Sequence, residues 1–256
     1  MINEYHRPEK LEEALKLLSR VEPNTVPLGG GSALDRFSLQ PFAVVDLQAL
    51  GLNTIQQQGN NLLIGATVTL QSLAEEIGKK WLPNLADLRK AIRHEAAYNL
   101  RQVGTVAGAL VSANGRSPFA TAMLALDAEL TLEPGKTQER VGDVLPLRLE
   151  RLRGRLITTI TIPTQTALAY EYVARSPADL PIVCVAVAVW PSGRVRAALG
   201  GYGRSPVLAF DGTEAEGAVE AAQSAYSQAS DEWASADYRQ DVAGVLLGRA
   251  LTAAQA

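Results

Sequence analysis

The chain has 256 residues, 47% of them apolar and 20% charged, with a formal net charge of −3. This composition excludes an intrinsically disordered chain, and without an excess of basic residues no nucleic acid partner is expected. One cysteine and two histidines exclude an iron–sulfur cluster or a histidine-rich metal site built by this chain alone.

The N-terminal segment MINEYHRPEK is too polar for a secretory signal. No apolar run reaches the roughly 18 residues that a membrane span requires. We therefore expect a cytoplasmic protein without a membrane span.

The first 100 residues alternate between helical and strand patterns. A helix is predicted in RPEKLEEALKLLSR, with Pro8 at its first position. The strands that follow are TVPL (25–28), FAVVDL (42–47) and NLLIGATVTL (61–70), and the next helices are LQSLAEEIGKK and NLADLRKAIRHEA.

In the remaining chain, the pattern of FATAMLALDAELTLEPG predicts a helix followed by a strand, and GRLITTITIP (154–163) is predicted to be a strand. Beyond about residue 165, strands ALAYEYVA, PIVCVAVAVW and RVRAALGGYG precede two helices, at 213–229 and 235–254. Cys184, within the apolar run, is predicted to be a buried small side chain. Strands followed by helices are typical of an α+β unit, and a domain boundary is predicted near residue 165.

Two glycine-bearing loops stand out. LGGGSAL (28–34) follows a strand, and its consecutive glycines allow backbone N–H groups to point into one concavity, where Ser32 adds a hydroxyl. On these residues alone the loop is either a structural turn or a phosphate cradle. VGTVAGAL (103–110) repeats the pattern, so the two loops are either unrelated turns or two sides of a clamp around a diphosphate.

The order of several segments resembles the FAD-binding (medium) subunit of the molybdenum hydroxylases, the xanthine dehydrogenase and carbon monoxide dehydrogenase family. The resemblance spans nearly the whole chain. It is carried by YHRPEKLEEALKLL, PLGGGSAL, VVDLQALGLNTI, LLIGATVTLQSLAEE, HEAAYNLRQVGTVAGAL, MLALDAELTL, DLPIVCVAVAV and SADYRQDVAGVLLGRAL.

The resemblance implies an α+β fold: a two-part FAD-binding domain of the vanillyl-alcohol-oxidase type at 1–164, with subdomains of roughly 1–55 and 56–164. A small domain with a three-stranded antiparallel sheet and helices is implied at 165–256. It also implies a function in which FAD relays electrons from iron–sulfur clusters to NAD, a quinone or another acceptor. Molybdopterin and the 2Fe-2S clusters would belong to a large and a small partner subunit.

The resemblance also assigns roles to individual residues. The first loop would hold the diphosphate and part of the flavin, through Leu28, Gly29, Gly30, Gly31, Ser32, Ala33 and Leu34. Gly104, Thr105, Gly108 and Ala109 would form the second clamp. Leu156 would face a ring of FAD, Arg101 would order the second loop, and His94 would pack at a helix end. Apart from the resemblance, the segment SANGRSP (112–118) offers Ser112, Asn114 and Arg116 as candidate replacements for missing contacts.

The chain departs from the family pattern at five positions, which are Ala33, Ala107, Ala109, Pro118 and Tyr172. The resemblance implies that these departures remove side-chain donors and acceptors, and each lost hydrogen bond costs roughly 0.5–1.5 kcal/mol. Two functions therefore stay open: a working flavoprotein subunit, or a scaffold or assembly subunit that has lost FAD. A stand-alone flavin reductase is a third reading. For the charged residues of the last helix, including Arg239, a solvated position is predicted.

Overall fold

The computed structural model describes residues 1–34, 41–78 and 82–255. Its strands are β1 (Ile2–His6), β2 (Thr25–Leu28), β3 (Phe42–Asp46), β4 (Ile55–Gln58), β5 (Asn61–Gly65), β6 (Glu129–Glu133), β7 (Thr137–Arg140), β8 (Leu156–Pro163), β9 (Ala167–Val173), β10 (Val183–Val189), β11 (Val195–Gly200) and β12 (Val207–Gly212).

Its α-helices are α1 (Leu11–Leu18), α2 (Leu70–Gly78), α3 (Ala86–Glu95), α4 (Tyr98–Val103), α5 (Val106–Ser112), α6 (Pro118–Ala125), α7 (Val141–Val144), α8 (Arg148–Arg151), α9 (Ala218–Ala225) and α10 (Ala236–Gln255). Short 3-10 helices lie at Gln48–Leu50, Pro83–Leu85 and Leu145–Leu147. Within the described ranges, no helix is long and apolar enough to cross a membrane.

The described strands form three sheets. The N-terminal sheet is parallel, in the order β1-β3-β2, and the central sheet is antiparallel, in the order β4-β5-β8-β6-β7. The C-terminal sheet is antiparallel, in the order β12-β11-β10-β9. The mixture of helices and sheets confirms an α+β chain.

The prediction of three strands in the C-terminal sheet is wrong, because a fourth strand, β12, pairs with β11. Gly201 and Gly203 adopt positive φ angles of 122° and 81°, which turn the chain back along β11. β12 is an edge strand whose residues are exposed or half-buried. It therefore lacks the alternating apolar pattern that reveals a half-buried strand in a sequence.

The C-terminal sheet is covered on both faces. Cys184, Ala186 and Ala188 belong to the large core shared with the central sheet and α2, α3 and α6. Val183, Val185 and Val187 alternate with them and pack in a second core with α9 and α10. Burial on both faces explains the continuous apolar run of β10 and confirms the buried position of Cys184.

Ion pairs connect the C-terminal sheet to the segment after α6. Arg196 is 5% exposed, and its guanidinium lies 3.4 Å from Asp127 and 2.6 Å from Asp211. Arg194 also contacts both carboxylates, at 3.1 and 2.8 Å. The hydrogen bonds and charge of Arg194, with the charge of Arg196, lower the pKa of Asp211. These contacts tie the two parts of the chain together.

Several predicted boundaries are corrected. Helix α1 begins at Leu11 and not at Pro8, because the backbone of Lys10 is still extended, with φ of −116° and ψ of 136°. Residues 2–6 form a strand that the sequence did not predict. The strand predicted over 61–70 ends at Gly65, where a Cβ would lie 2.2 Å from the Leu52 carbonyl oxygen. This close approach turns the chain away from the sheet. Strands β4 and β7 were also missed.

Candidate functional site

The first glycine loop begins where β2 ends. Gln48, from the 3-10 helix after β3, donates its side-chain N–H to the Gly29 carbonyl oxygen at 2.7 Å. Asp46 accepts the backbone N–H of Gln48 at 2.9 Å, which fixes this neighbouring turn. Gly31 has a φ of +74°, in the left-handed region that glycine adopts without strain. Asp46 and Gln48 hold the loop from the neighbouring strand, a role that sequence reasoning missed.

The two glycine loops touch each other. A Cβ on Gly30 would lie 1.6 Å from the Val103 carbonyl oxygen, and a Cβ on Gly29 would lie 2.7 Å from the Thr105 hydroxyl. A Cβ on Gly104 would lie 3.4 Å from the Ser32 hydroxyl. Glycine at position 30 therefore permits a backbone contact between the loops that any side chain would push apart, and Gly29 leaves room for the Thr105 side chain.

The first loop presents a row of backbone donors. The N–H groups of Gly30, Gly31, Ser32 and Ala33 have no hydrogen-bond acceptor among the described residues. The N–H of Leu34 bonds to the Gly31 carbonyl oxygen at 3.3 Å and closes the turn. Successive unpaired N–H groups in a turn form a concavity that suits the oxygen atoms of a phosphate.

The second loop is different, because its backbone donors already have partners. The N–H groups of Gly104, Val106 and Ala107 bond to the carbonyl oxygens of Leu100, Val68 and Ala66. Those of Gly108 and Ala109 bond to the hydroxyl and carbonyl oxygens of Thr105. This loop therefore supports the first loop through packing, and it offers few free backbone donors of its own.

Thr105 is the N-terminal cap of α5 and is 3% exposed. Its hydroxyl oxygen accepts the Gly108 N–H at 3.1 Å, and the residue also forms an isolated bridge with Thr69. The hydroxyl therefore orients the start of α5 directly beneath Gly29. A threonine immediately before an apolar helical segment is the sequence signal for such a cap.

The predicted site residues Ser112 and Asn114 have local hydrogen-bond partners. The Ser112 hydroxyl donates to the Gly108 carbonyl oxygen of its own helix, and the Asn114 side chain accepts the Arg116 N–H. Gly115, next to Asn114, exchanges backbone hydrogen bonds with Gly201 and Gly203. Asn114 therefore lies beside the C-terminal sheet.

Leu156 is 4% exposed and packs with Ala14, Val45 and Leu47 in a small core under the N-terminal sheet. It presents little surface to any ligand. Its predicted contact with a ring of FAD is not tested by this placement and stays a prediction.

Arg101 and His94 connect elements around the second loop. Arg101 donates to the carbonyl oxygens of Arg93 and Ala96 and to the Gln71 side chain, so it joins the end of α3 to α2. His94 contacts the Tyr170 hydroxyl at 2.9 Å and the Asp179 carbonyl oxygen at 2.7 Å. Both residues therefore connect the end of α3 to other parts of the fold.

The donor set fits a diphosphate at the first loop. A diphosphate needs several donors on one side. The N–H groups of residues 30–33, which no described residue accepts, supply them without a cationic side chain. The second loop contributes the surface against which the first loop is pressed.

Comparisons with known proteins identify the family of this chain. A family model described as the FAD binding domain in molybdopterin dehydrogenase matches residues 1–165. The uncharacterized protein YgfM of Escherichia coli K12 is 29% identical, with 96% of this chain and 94% of that protein covered. The carbon monoxide dehydrogenase medium chain of Afipia carboxidovorans is also 29% identical, with coverages of 99% and 96%.

The fold matches as well. A crystal structure of the cyanide-inactivated Cu,Mo-containing CO dehydrogenase superposes with a TM-score of 0.83 at 27% sequence identity. The match covers 100% of this chain and 98% of the chain in that structure. The family match spans more than half of the sequence, and it confirms the resemblance noted from the segments. The chain therefore belongs to the family of FAD binding domains in molybdopterin dehydrogenases, which are oxidoreductases.

Proposed function

We propose that this chain is the FAD-carrying medium subunit of a molybdenum hydroxylase-type complex in the cytoplasm. Residues 1–164 would form the FAD-binding domain and residues 165–256 the C-terminal flavoprotein domain. When bound, FAD would accept electrons from 2Fe-2S clusters on a small partner subunit and pass them to NAD, a quinone or another acceptor. The molybdenum cofactor would lie on a large partner subunit.

The row of N–H groups at Gly30–Ala33, which have no acceptor among the described residues, carries this proposal. Four backbone donors in sequence suit a group with two negative charges, such as the diphosphate of FAD. Because they belong to the main chain, they are independent of the polar side chains that the family has at positions 33 and 109, where this chain has alanine. The Ser32 hydroxyl is exposed at the same turn and adds a fifth donor.

In this proposal the second loop has a supporting role. Thr105 packs against Gly29 and Val103 packs against Gly30, and these two contacts position the first loop. Gly104, Gly108 and Ala109 keep the chain narrow enough for that contact. Leu28 and Leu34 flank the donors, and Leu156, Ser112 and Asn114 stay candidates for outer contacts.

One observation favours a second function, that of a scaffold subunit without FAD. Five backbone N–H groups of the second loop, from Gly104 to Ala109, are already bonded within the chain. A clamp closing on the diphosphate from two sides would therefore lack half of its donors. Under this alternative, the contact between the loops serves only the fold.

FAD binding by the purified protein distinguishes the two functions. We expect a yellow protein, or uptake of added FAD measured by flavin absorbance and by calorimetric titration. Gly31→Ala strains the turn that aims the donors and is expected to weaken FAD binding by about tenfold or more, which is about 1.4 kcal/mol.

Gly59→Ala is the matched control, because Gly59 has a similar φ of +59° and lies in the turn between β4 and β5, where a Cβ would meet nothing. It is expected to leave FAD affinity unchanged. A colourless protein that takes up no FAD would support the scaffold function instead.

A further inference from the structure

A pocket of about 330 Å³ lies beside helix α3. Its walls come from α3, from the end of β9 and from the segment after it, and none of them belongs to either glycine loop. The lining residues are Ala86, Arg89, Lys90, Arg93, His94, Tyr172 and Pro177. The pocket therefore combines three permanent cations with an aromatic and apolar wall.

Two of these cations lack a counter-charge. Arg89 and Arg93 are one helical turn apart on α3, and within residues 1–34, 41–78 and 82–255 neither forms an ion pair with a carboxylate. Lys90 is different, since its ammonium group bonds to the Tyr170 carbonyl oxygen at 2.6 Å and to Glu171 at 3.1 Å. Like charges at this spacing repel each other, so an anion between the two arginines would stabilise the helix.

His94 contributes a neutral surface. Its ring lies 4.0 Å from the ring of Tyr172, and both of its nitrogen atoms are engaged by Tyr170 and Asp179. Burial lowers the pKa of His94, and the nearby charge of Lys90 lowers it further. Among the described residues, the cationic groups of the pocket that no carboxylate pairs are therefore the guanidinium groups of Arg89 and Arg93.

We propose that this pocket binds a small phosphorylated molecule of about mononucleotide size. Its phosphate would lie between Arg89 and Arg93, and its organic part would lie against Tyr172 and Pro177. Guanidinium groups bind phosphate through paired N–H donors, which lysine cannot reproduce. The volume is at the lower end of the range of about 300–1,000 Å³ that small-molecule pockets occupy.

The pocket is tested by calorimetric titration of AMP, inorganic phosphate and adenosine into the full chain, with excess FAD present. FAD keeps the glycine loops occupied, so that AMP binding there does not interfere. We expect AMP to bind more tightly than phosphate and adenosine not to bind. Arg89→Ala/Arg93→Ala is expected to weaken AMP binding by about tenfold or more, with unchanged flavin absorbance and melting temperature.

Arg249→Ala is the matched control, because Arg249 is an exposed arginine of α10. It is expected to bind AMP as the unmodified protein does. Three results would each overturn the proposal: no binding of AMP or phosphate to the unmodified protein, equal AMP affinity in the double variant, or loss of FAD from the double variant. The last result would make the pocket part of the FAD site. A protein that binds AMP but no FAD would overturn only the proposed function.

Discussion

The backbone of Gly30 packs directly against that of Val103, with room for no atom beyond hydrogen on the Gly30 Cα. A Cβ at this position would meet the Val103 carbonyl oxygen at 1.6 Å, a main-chain atom that cannot rotate away. The contact joins two segments that are more than 70 residues apart in the sequence. This contact fixes the distance between the two glycine loops.

Gly30→Ala is expected to separate the loops. The strain should lower the free energy of unfolding by about 1–3 kcal/mol and reduce FAD uptake. Gly248→Ala is a contrasting change in α10, where a Cβ would meet nothing. It should raise stability by about 0.5–1 kcal/mol. Thermal melting of both variants measures the difference, and equal melting temperatures would contradict the close contact.

Thr105→Val is expected to remove the cap of α5 with little change in side-chain volume. Loss of the hydrogen bond from the Gly108 N–H should cost about 1 kcal/mol of unfolding free energy. Ser112→Ala is the control, since its hydroxyl bonds only to its own helix and should change stability by less than about 0.5 kcal/mol. Denaturant unfolding measures both. Similar losses of unfolding free energy in the two variants would show that the Thr105 cap contributes no more than an ordinary helix hydroxyl.

The stability of the protein is expected to fall as the pH decreases below the ordinary pKa of histidine. Burial lowers the pKa of His94 from 6.5, so the unfolded chain binds a proton that the folded chain resists. Unfolding thus gains protons as the pH falls through this value, and stability decreases. His94→Gln should flatten this part of the curve of melting temperature against pH. An unchanged curve would mean that His94 titrates normally.

Arg239 is fully buried at the start of α10, where it donates to the carbonyl oxygens of Ile182, Ala229 and Ala234 and to the Asp231 carboxylate. Asp231→Asn removes the charge that balances the guanidinium and should cost about 1.5–3 kcal/mol. Asp241→Asn, at an exposed position of the same helix, should change stability by less than about 0.5 kcal/mol. Denaturant unfolding compares the two variants, and equal losses would rule out a special role for Asp231.

Arg239 also shows where sequence reasoning was limited. Its neighbours on α10 form a helix that ends within one residue of the predicted range, yet its predicted solvated position is wrong. Three of its four partners are backbone carbonyl groups, which have no signature in a sequence. One of them, Ile182, is 57 residues away along the chain. Helical periodicity predicted the element, but it cannot predict which charged residue points inward.

The glycine loops show a similar division. The runs of small residues predicted where the backbone comes close to another group, and the structure shows that for Gly29 and Gly30 this group is the second loop itself. In the second loop, the carbonyl oxygens of Val68 and Ala66 accept backbone N–H groups from residues about 40 positions later in the chain. These bonds leave the second loop with few free donors. Long-range backbone pairing of this kind has no local sequence pattern. The sequence therefore located the loops but did not distinguish the donor loop from the supporting one.

In the proposed function, the backbone N–H groups of residues 30–33 bind the diphosphate of FAD. The most direct test is titration of the purified chain with FAD, with ADP as a competitor that carries the diphosphate without the flavin. The account predicts saturable FAD binding that ADP displaces and that Gly31→Ala weakens by about tenfold or more. FAD binding that is unaffected by both ADP and Gly31→Ala, or no binding at all, would contradict it.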